Sequence, residues 1–173
     1  YFTVVFDRVL NNNPLLIGGL LVLWGSSGMV ANLIAGRLSD TIGNRKVIFG
    51  GLILLTLTML ALPAASANIW TSAIAIAVWG AVAWGLLAPQ QHRLVAAAAH
   101  TAPVVLGLNT SGTYLGVTAA GVVGALSMPI VGGHNLGYVG VGFLLVAILL
   151  AELATIRINA ANRRDGNVEL ATA

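Results

Sequence analysis

One short segment of the sequence concentrates ionisable and conformationally special residues. It places a glycine, an aspartate, a second glycine and a basic pair in close succession, with an arginine beside the first glycine: Gly36, Arg37, Asp40, Gly43, Arg45 and Lys46. The Asp40 carboxylate can lie at the positive N-terminus of a neighbouring helix, where the helix dipole favours an anion. Because such contacts form and break reversibly, the segment predicts a gating latch. The alternative is that its basic residues only anchor the chain at a membrane surface.

Elsewhere the sequence contains no arrangement typical of catalysis or metal binding. The chain has no cysteine, and its three histidines, His92, His100 and His134, fall in predicted loops without metal-ligand spacing. Neither a nucleophile–base pattern nor a phosphate-binding loop is visible. Basic residues are not interleaved with aromatic ones, which argues against nucleic acid as a partner. We therefore predict no catalytic residues, no metal and no cofactor.

The composition indicates that the chain is embedded in a lipid bilayer. Hydrophobic residues make up 58% of its 173 residues, charged residues only 8%, and the mean hydropathy is +0.93. A soluble domain carries about 25% charged residues, because its surface must be wetted by water. So few charges cannot cover a water-facing surface of this size, and the lipid bilayer is the expected partner.

Five apolar runs, almost free of charge, follow one another at residues 15–36, 47–65, 69–89, 103–127 and 136–156. Each approaches the ~20 residues that an α-helix needs to cross ~30 Å of hydrocarbon. Asn13, Asn44 and Asn68 are placed to cap the first three, and residues 1–6 resemble the end of a further span. We predict an all-α integral membrane bundle at 1–158, with five complete transmembrane helices and the end of a sixth. Residues 159–173 are predicted to form a disordered cytoplasmic tail.

The distribution of basic residues predicts the orientation. Because successive loops alternate between the two sides of the membrane, the five spans place nearly all basic residues on one side. That side holds Arg37, Arg45, Lys46, Arg93, Arg157, Arg163 and Arg164, whereas the other side holds only Arg8. Cytoplasmic loops carry an excess of lysine and arginine. We therefore expect a multi-pass protein of the cell (inner) membrane, with the C-terminus in the cytoplasm.

Small residues recur at four-residue spacing in two of the spans. They are Gly28 and Asn32 in the first, continuing to Gly36, and Gly112, Gly116 and Gly124 in the fourth, where Ala120 completes the spacing. Small residues let helix backbones approach closely in membranes, where no hydrophobic force joins helices. The stripes predict helix-packing faces, although glycine is common in membrane helices in general.

The segment from Gly36 to Lys46 resembles the loop signature of the major facilitator superfamily, in its weaker second copy between helices eight and nine. Residues 88–93 and 108–116 are similar to the tenth and eleventh helices of the drug and sugar efflux branch. The resemblance implies the C-terminal half of a twelve-helix transporter, with a missing N-terminal six-helix half as partner. Thr41 departs from the signature, because the residue after the aspartate is often basic in the family.

Transporters of this type bind substrate near the bilayer midplane. Polar and aromatic residues near the middle of the spans are the cavity candidates: Trp24, Ser26, Ser27, Trp79, Trp84, Asn109, Ser111 and Tyr114. The resemblance favours Trp79 and Trp84, because the tenth helix lines the cavity in the family. For each residue the alternative is packing, interfacial anchoring or a hydrogen bond to its own helix. Glu152 is expected to reach the interface near Arg157.

These features favour a secondary transporter that exports a small organic solute, a drug or a sugar, by alternating access in exchange for protons. An uptake permease of the same fold remains an alternative, as does, less favoured, a membrane scaffold without transport. An integral membrane enzyme would need clustered polar residues at one membrane face, and the sequence shows none.

Overall fold

A computed structural model describes the backbone of residues 1–172 and the side chains of residues 1–158. That part of the chain is almost entirely helical, with short turns between the helices, and strands are absent from it. Two short helices open the chain and six longer ones follow: α1 (Phe2–Val5), α2 (Asp7–Leu10), α3 (Pro14–Ile42), α4 (Asn44–Ala65), α5 (Ile69–Gly85), α6 (Leu87–Ala97), α7 (Ala102–Val131) and α8 (Leu136–Thr172). The predicted disordered tail, 159–173, lies outside the fully described residues and stays a prediction.

The predicted number of membrane spans is confirmed within the described residues. Five helical stretches are long and apolar enough to cross a membrane: Pro14–Ile42, Asn44–Ala65, Ile69–Ala97, Ala99–Val131 and Gly133–Ile158. The third combines α5 and α6, and the fourth and fifth each begin with a short 3₁₀ turn. The all-α membrane fold class is therefore confirmed.

Two of the three predicted asparagine caps are present. The Asn13 side chain accepts a hydrogen bond from the Leu15 amide at 3.0 Å, and that of Asn68 from the Trp70 amide at 2.9 Å. These bonds satisfy amide groups that a helix start leaves free. The predicted Asn44 cap is wrong, because Gly43 is the N-cap of α4 and makes no side-chain bond.

The helices extend beyond the apolar runs. Helix α3 continues to Ile42, so Gly43 alone separates it from α4, and the predicted loop signature lies on two helix ends. Gly43 has φ +90° and ψ 143°, a conformation that side chains with a Cβ rarely adopt. Arg93, predicted to lie in a loop, is inside α6.

The helices are packed unequally. Helix α3 packs mainly on α5, and α4 packs on both α5 and α8. A buried apolar cluster, which includes Phe6, Leu10 and Ile76, closes the end of the bundle opposite Gly43. Helix α7 is almost entirely exposed, and Gly124 is its one buried residue. Large apolar faces of α3 and α7 are therefore left without a protein partner in the described part of the chain.

Candidate functional site

Glycines bring the backbones of α3 and α5 into direct contact. A Cβ on Gly28 would lie 2.5 Å from Cδ1 of Trp84, and one on Gly80 would overlap the carbonyl oxygen of Trp24. A Cβ on Gly85 would lie 3.3 Å from that of Ala31. Close approach through small residues is the usual way in which membrane helices pack. This seam fixes the relative position of the aromatic side chains that α3 and α5 carry.

Three tryptophans meet at the seam. The ring of Trp24 stands edge-on to Trp79, with centroids 6.1 Å apart, and to Trp84, with centroids 5.6 Å apart. Edge-to-face pairs of this kind are stabilising, because the positive ring edge meets the negative face. Among the described residues no acceptor pairs with Nε1 of Trp24, although this atom is buried. A buried donor without a partner is costly and is uncommon in native proteins.

A small cavity of about 270 Å³ adjoins this tryptophan cluster. Trp24, Trp84, Gly28 and Asn32 are among the residues that line it. The cavity combines two indole rings with an amide side chain, which suits a molecule with an apolar body and one or two polar groups. The neighbouring Ser27 hydroxyl donates to the Trp24 carbonyl at 2.9 Å, so it is satisfied within its own helix.

A larger cavity, of about 620 Å³, lies on the other side of Trp79. It is half open, is bordered by Tyr1 and by residues of α1, α4, α5, α7 and α8, and is lined almost entirely by apolar atoms. Tyr1 closes one end, where its ring covers Gly124 and its hydroxyl donates to the Gly121 carbonyl at 2.6 Å. Because Trp79 lines this cavity and also touches Trp24, it stands between the two cavities.

The other predicted cavity residues are not brought to the tryptophans. Ser26 is exposed and donates to the Leu23 carbonyl at 3.2 Å. Ser111 and Tyr114 are exposed on α7, and Asn109 accepts a hydrogen bond from Gln90 of α6 at 3.2 Å. The structure therefore brings only some of the cavity candidates to the α3–α5 seam, and it leaves Ser26 exposed on α3 and the candidates of α7 away from the seam.

The two small-residue stripes have different surroundings. Gly28 packs on α5 and Asn32 lines the small cavity. On α7, Gly124 lies under Tyr1 and Gly116 faces the larger cavity, whereas no atom lies within 4 Å of a Cβ placed on Gly112. Spacing alone therefore does not distinguish a packed glycine from an open one.

The signature residues surround the turn between α3 and α4. Arg37, Asp40 and Lys46 are exposed, and no described side chain forms a salt bridge with any of them. Apart from the adjacent turns of its own helix, no described atom lies within 4 Å of a Cβ placed on Gly36. The carboxylate and the basic groups are thus presented at the end of the bundle, free to contact another part of the protein.

Arg45 differs from the other signature residues, because it already has a partner. Its Nη2 donates to Oε1 of Glu152 at 2.7 Å, and its guanidinium lies 5.9 Å from the ring centroid of Phe49. From the sequence, Glu152 is expected to lie near Arg157, and its pair with Arg45 is not predicted. The two residues are far apart in the chain, and the only available signal was that both were predicted near the same membrane face.

The Arg45–Glu152 pair should stabilise the contact between α4 and α8. Arg45→Gln is expected to lower the free energy of unfolding by about 0.5 kcal/mol, because both side chains of the pair are more than a third exposed and solvent screens their attraction. Arg45→Gln with Glu152→Gln should restore much of this loss. The measurement is a double-mutant cycle by SDS titration of the purified protein. Additive losses in the two single variants would contradict a direct interaction.

Taken together, the helices, cavities and charged end define a polytopic α-helical membrane protein with solute-sized cavities between its helices. The sequence profile of the Major Facilitator Superfamily matches residues 2–172. The chain therefore belongs to the major facilitator superfamily, as the sequence analysis predicted.

Two curated relatives share the description "Inner membrane transport protein YdhP". The protein from Escherichia coli O157:H7 is 32% identical over 127 residues, and that from Escherichia coli strain K12 is 31% identical over 127 residues. Each alignment covers 71% of this chain but 32% of the relative. The chain thus matches about a third of the length of these relatives. No solved structure matches it significantly.

Proposed function

We propose that this chain is the C-terminal half of a twelve-helix secondary transporter, which exports an amphipathic organic solute in exchange for protons by alternating access. Membership of the major facilitator superfamily and the similarity to inner membrane transport proteins support transport and an inner membrane location. The drug or sugar class of the solute rests on the resemblance of residues 88–93 and 108–116 to the efflux branch. Uptake through the same fold is the alternative, and the direction of movement decides between them.

The observation that carries the proposal is the unpaired charge of Arg37 and Asp40 beside the one-residue turn at Gly43. Both are exposed at the end of α3, and within the described residues neither has a salt-bridge partner. The exposed faces of α3 and α7 would pack against the other six-helix half. In that arrangement Asp40 would accept hydrogen bonds from a helix N-terminus of the other half in one conformation of the transporter. These hydrogen bonds would break in the other conformation.

The tryptophan cluster is the proposed solute site in this half. Aromatic rings provide the apolar contact, and the unpaired Trp24 indole together with Asn32 provides polar recognition. The side chains described here place no carboxylate at the α3–α5 seam. We therefore assign the proton-carrying group to the other half of the transporter. The end of the bundle that carries Arg37, Arg45, Lys46 and Arg93 is assigned to the cytoplasm.

Asp40→Asn is expected to lower gradient-driven transport about tenfold, because an amide keeps the size of the side chain and removes the charge that holds the latch. The full-length protein is reconstituted in liposomes, a pH gradient is imposed, and the movement of sugars and of hydrophobic drugs is followed. Movement in the direction opposite to the proton flux, abolished by a protonophore, would support export by antiport.

Two variants serve as controls for this experiment. Asp7→Asn makes the same chemical change to an exposed carboxylate at the opposite end of the bundle and should leave transport nearly unchanged. Asp40→Glu keeps the charge and should retain more activity than Asp40→Asn. Equal activity of Asp40→Asn and the unmodified protein would remove the latch from the mechanism. Solute movement in the same direction as protons would replace export by uptake.

A further inference from the structure

A third cavity, of about 400 Å³, lies between α4, α6 and α8, away from the tryptophan cluster. Its walls are formed by aliphatic side chains, including Ile48, Leu52 and Leu150, and by small residues of α8. Gln90 and Arg93 are the exceptions in this apolar lining. None of the roles described above uses this crevice.

Arg93 is held in a fixed position within the crevice. It is partly buried, and its Nη2 donates to Oγ1 of Thr155 at 2.8 Å. The Thr155 hydroxyl is buried and donates in turn to the Ala151 carbonyl at 2.8 Å. A guanidinium has five N–H donors, so one bond to a neutral hydroxyl leaves both its charge and most of its donors available.

The charge of Arg93 is not compensated by a described carboxylate. Arg45, at the same end of the bundle, is paired with Glu152, whereas Arg93 forms no salt bridge with any side chain of residues 1–158. A partly buried cation in an apolar setting is costly unless an anion accompanies it. The crevice is therefore electrostatically complementary to an anionic group.

The depth of Arg93 in the membrane indicates where that anion comes from. Its partner Thr155 lies about 29 Å along α8 from Leu136, at a rise of 1.5 Å per residue. The hydrocarbon core of a bilayer is about 30 Å thick. If α8 begins at one surface of the hydrocarbon, the Arg93 guanidinium lies at the other, where lipid phosphates are found.

We propose that the crevice between α4, α6 and α8 binds an anionic phospholipid, with the phosphate on Arg93 and an acyl chain against Ile48, Leu52 and Leu150. Arginine binds phosphate oxygens through two parallel hydrogen bonds. Basic pockets between membrane helices on the cytoplasmic side are suited to lipid headgroups of this kind. The bound lipid would join three helices at one end of the bundle.

Native mass spectrometry of the full-length protein tests the site, with phosphatidylglycerol and phosphatidylcholine of identical acyl chains as probes. The unmodified protein should retain phosphatidylglycerol more strongly. Arg93→Gln should weaken that binding about tenfold, the usual worth of a charged hydrogen bond. Arg157→Gln makes the same change to an exposed arginine near the same end, outside the crevice, and should change binding less than about twofold.

A second variant keeps the charge and fills the crevice. Ala147→Phe leaves Arg93 in place but occupies the space for the acyl chain, and it should also weaken phosphatidylglycerol binding. Equal retention of the two lipids, or equal loss in Arg93→Gln and Arg157→Gln, would overturn the proposal. Displacement of the lipid by an equal concentration of glycerol 3-phosphate would show a site for free anions and would also overturn it.

Discussion

Gly80→Ala should lower the free energy of unfolding by about 3 kcal/mol, the upper end of the range for overpacked sites. The added methyl group would overlap the Trp24 carbonyl oxygen and lie 2.7 Å from Oγ of Ser27. A backbone oxygen cannot move aside as a flexible side chain can, so α3 and α5 must separate. Separation would weaken the whole seam, including the contacts of Gly28 and Gly85.

The effect of Gly80→Ala is measured by SDS titration of the purified full-length protein. Gly50→Ala on α4 is the matched control, because no atom lies within 4 Å of the Cβ it would add. That variant should unfold at nearly the same SDS fraction as the unmodified protein. An unchanged midpoint for Gly80→Ala would mean that α3 and α5 do not pack at this distance.

Trp24→Ala is expected to lower the free energy of unfolding by about 3 kcal/mol, because removal of a large aromatic side chain leaves a cavity. The substitution also deletes both edge-to-face contacts of the tryptophan cluster, with Trp79 and with Trp84. Trp70→Ala removes the same side chain from a position that is 76% exposed, and its effect on stability should be small. The two variants are compared in the same SDS titration.

Trp24→Phe separates the packing of this residue from its polarity. Phenylalanine keeps an aromatic ring at the seam and removes the Nε1–H group, which is buried and has no partner in the described part of the chain. Because an unpaired buried donor is costly, stability should stay unchanged or rise. If the group binds solute, transport should fall in Trp24→Phe while stability is kept. A loss of stability as large as that of Trp24→Ala would show that the indole N–H has a structural partner.

Sequence reasoning succeeded for the membrane helices themselves. Long apolar runs can satisfy their backbone groups in lipid only as helices, and the Asn13 and Asn68 caps depend on neighbouring residues alone. The predicted end of the first membrane helix, near Gly36, was wrong, because α3 continues to Ile42. Hydropathy falls at Arg37, but backbone hydrogen bonding continues to Ile42, because charged side chains at a helix end can reach water.

The contacts of individual polar residues were beyond the sequence. Glu152 has Arg157 nearby in the chain, yet its partner is Arg45 on another helix. Tyr114 and Trp79 were both candidates for the cavity, and the residues alone did not separate them, but Tyr114 is 70% exposed on α7 whereas Trp79 joins the tryptophan cluster. Which face of a helix contacts a neighbour depends on the arrangement of all helices. The local sequence pattern carries no information about that arrangement.

The sequence by itself determined that this protein is an all-α membrane bundle of the major facilitator superfamily, with basic residues gathered at one end. These properties follow from local hydropathy, capping and a short signature, which need no knowledge of distant contacts. Only the tertiary structure decided that α3 packs on α5, that three tryptophans meet there, and that Arg45 has a carboxylate partner whereas Arg93 has none among the side chains of residues 1–158. The physical reason is that lipid removes hydrophobicity as a guide to helix pairing, so the fit of small residues selects the contacts. Gly28 and Gly112 look alike in sequence, but only Gly28 has a helix against it.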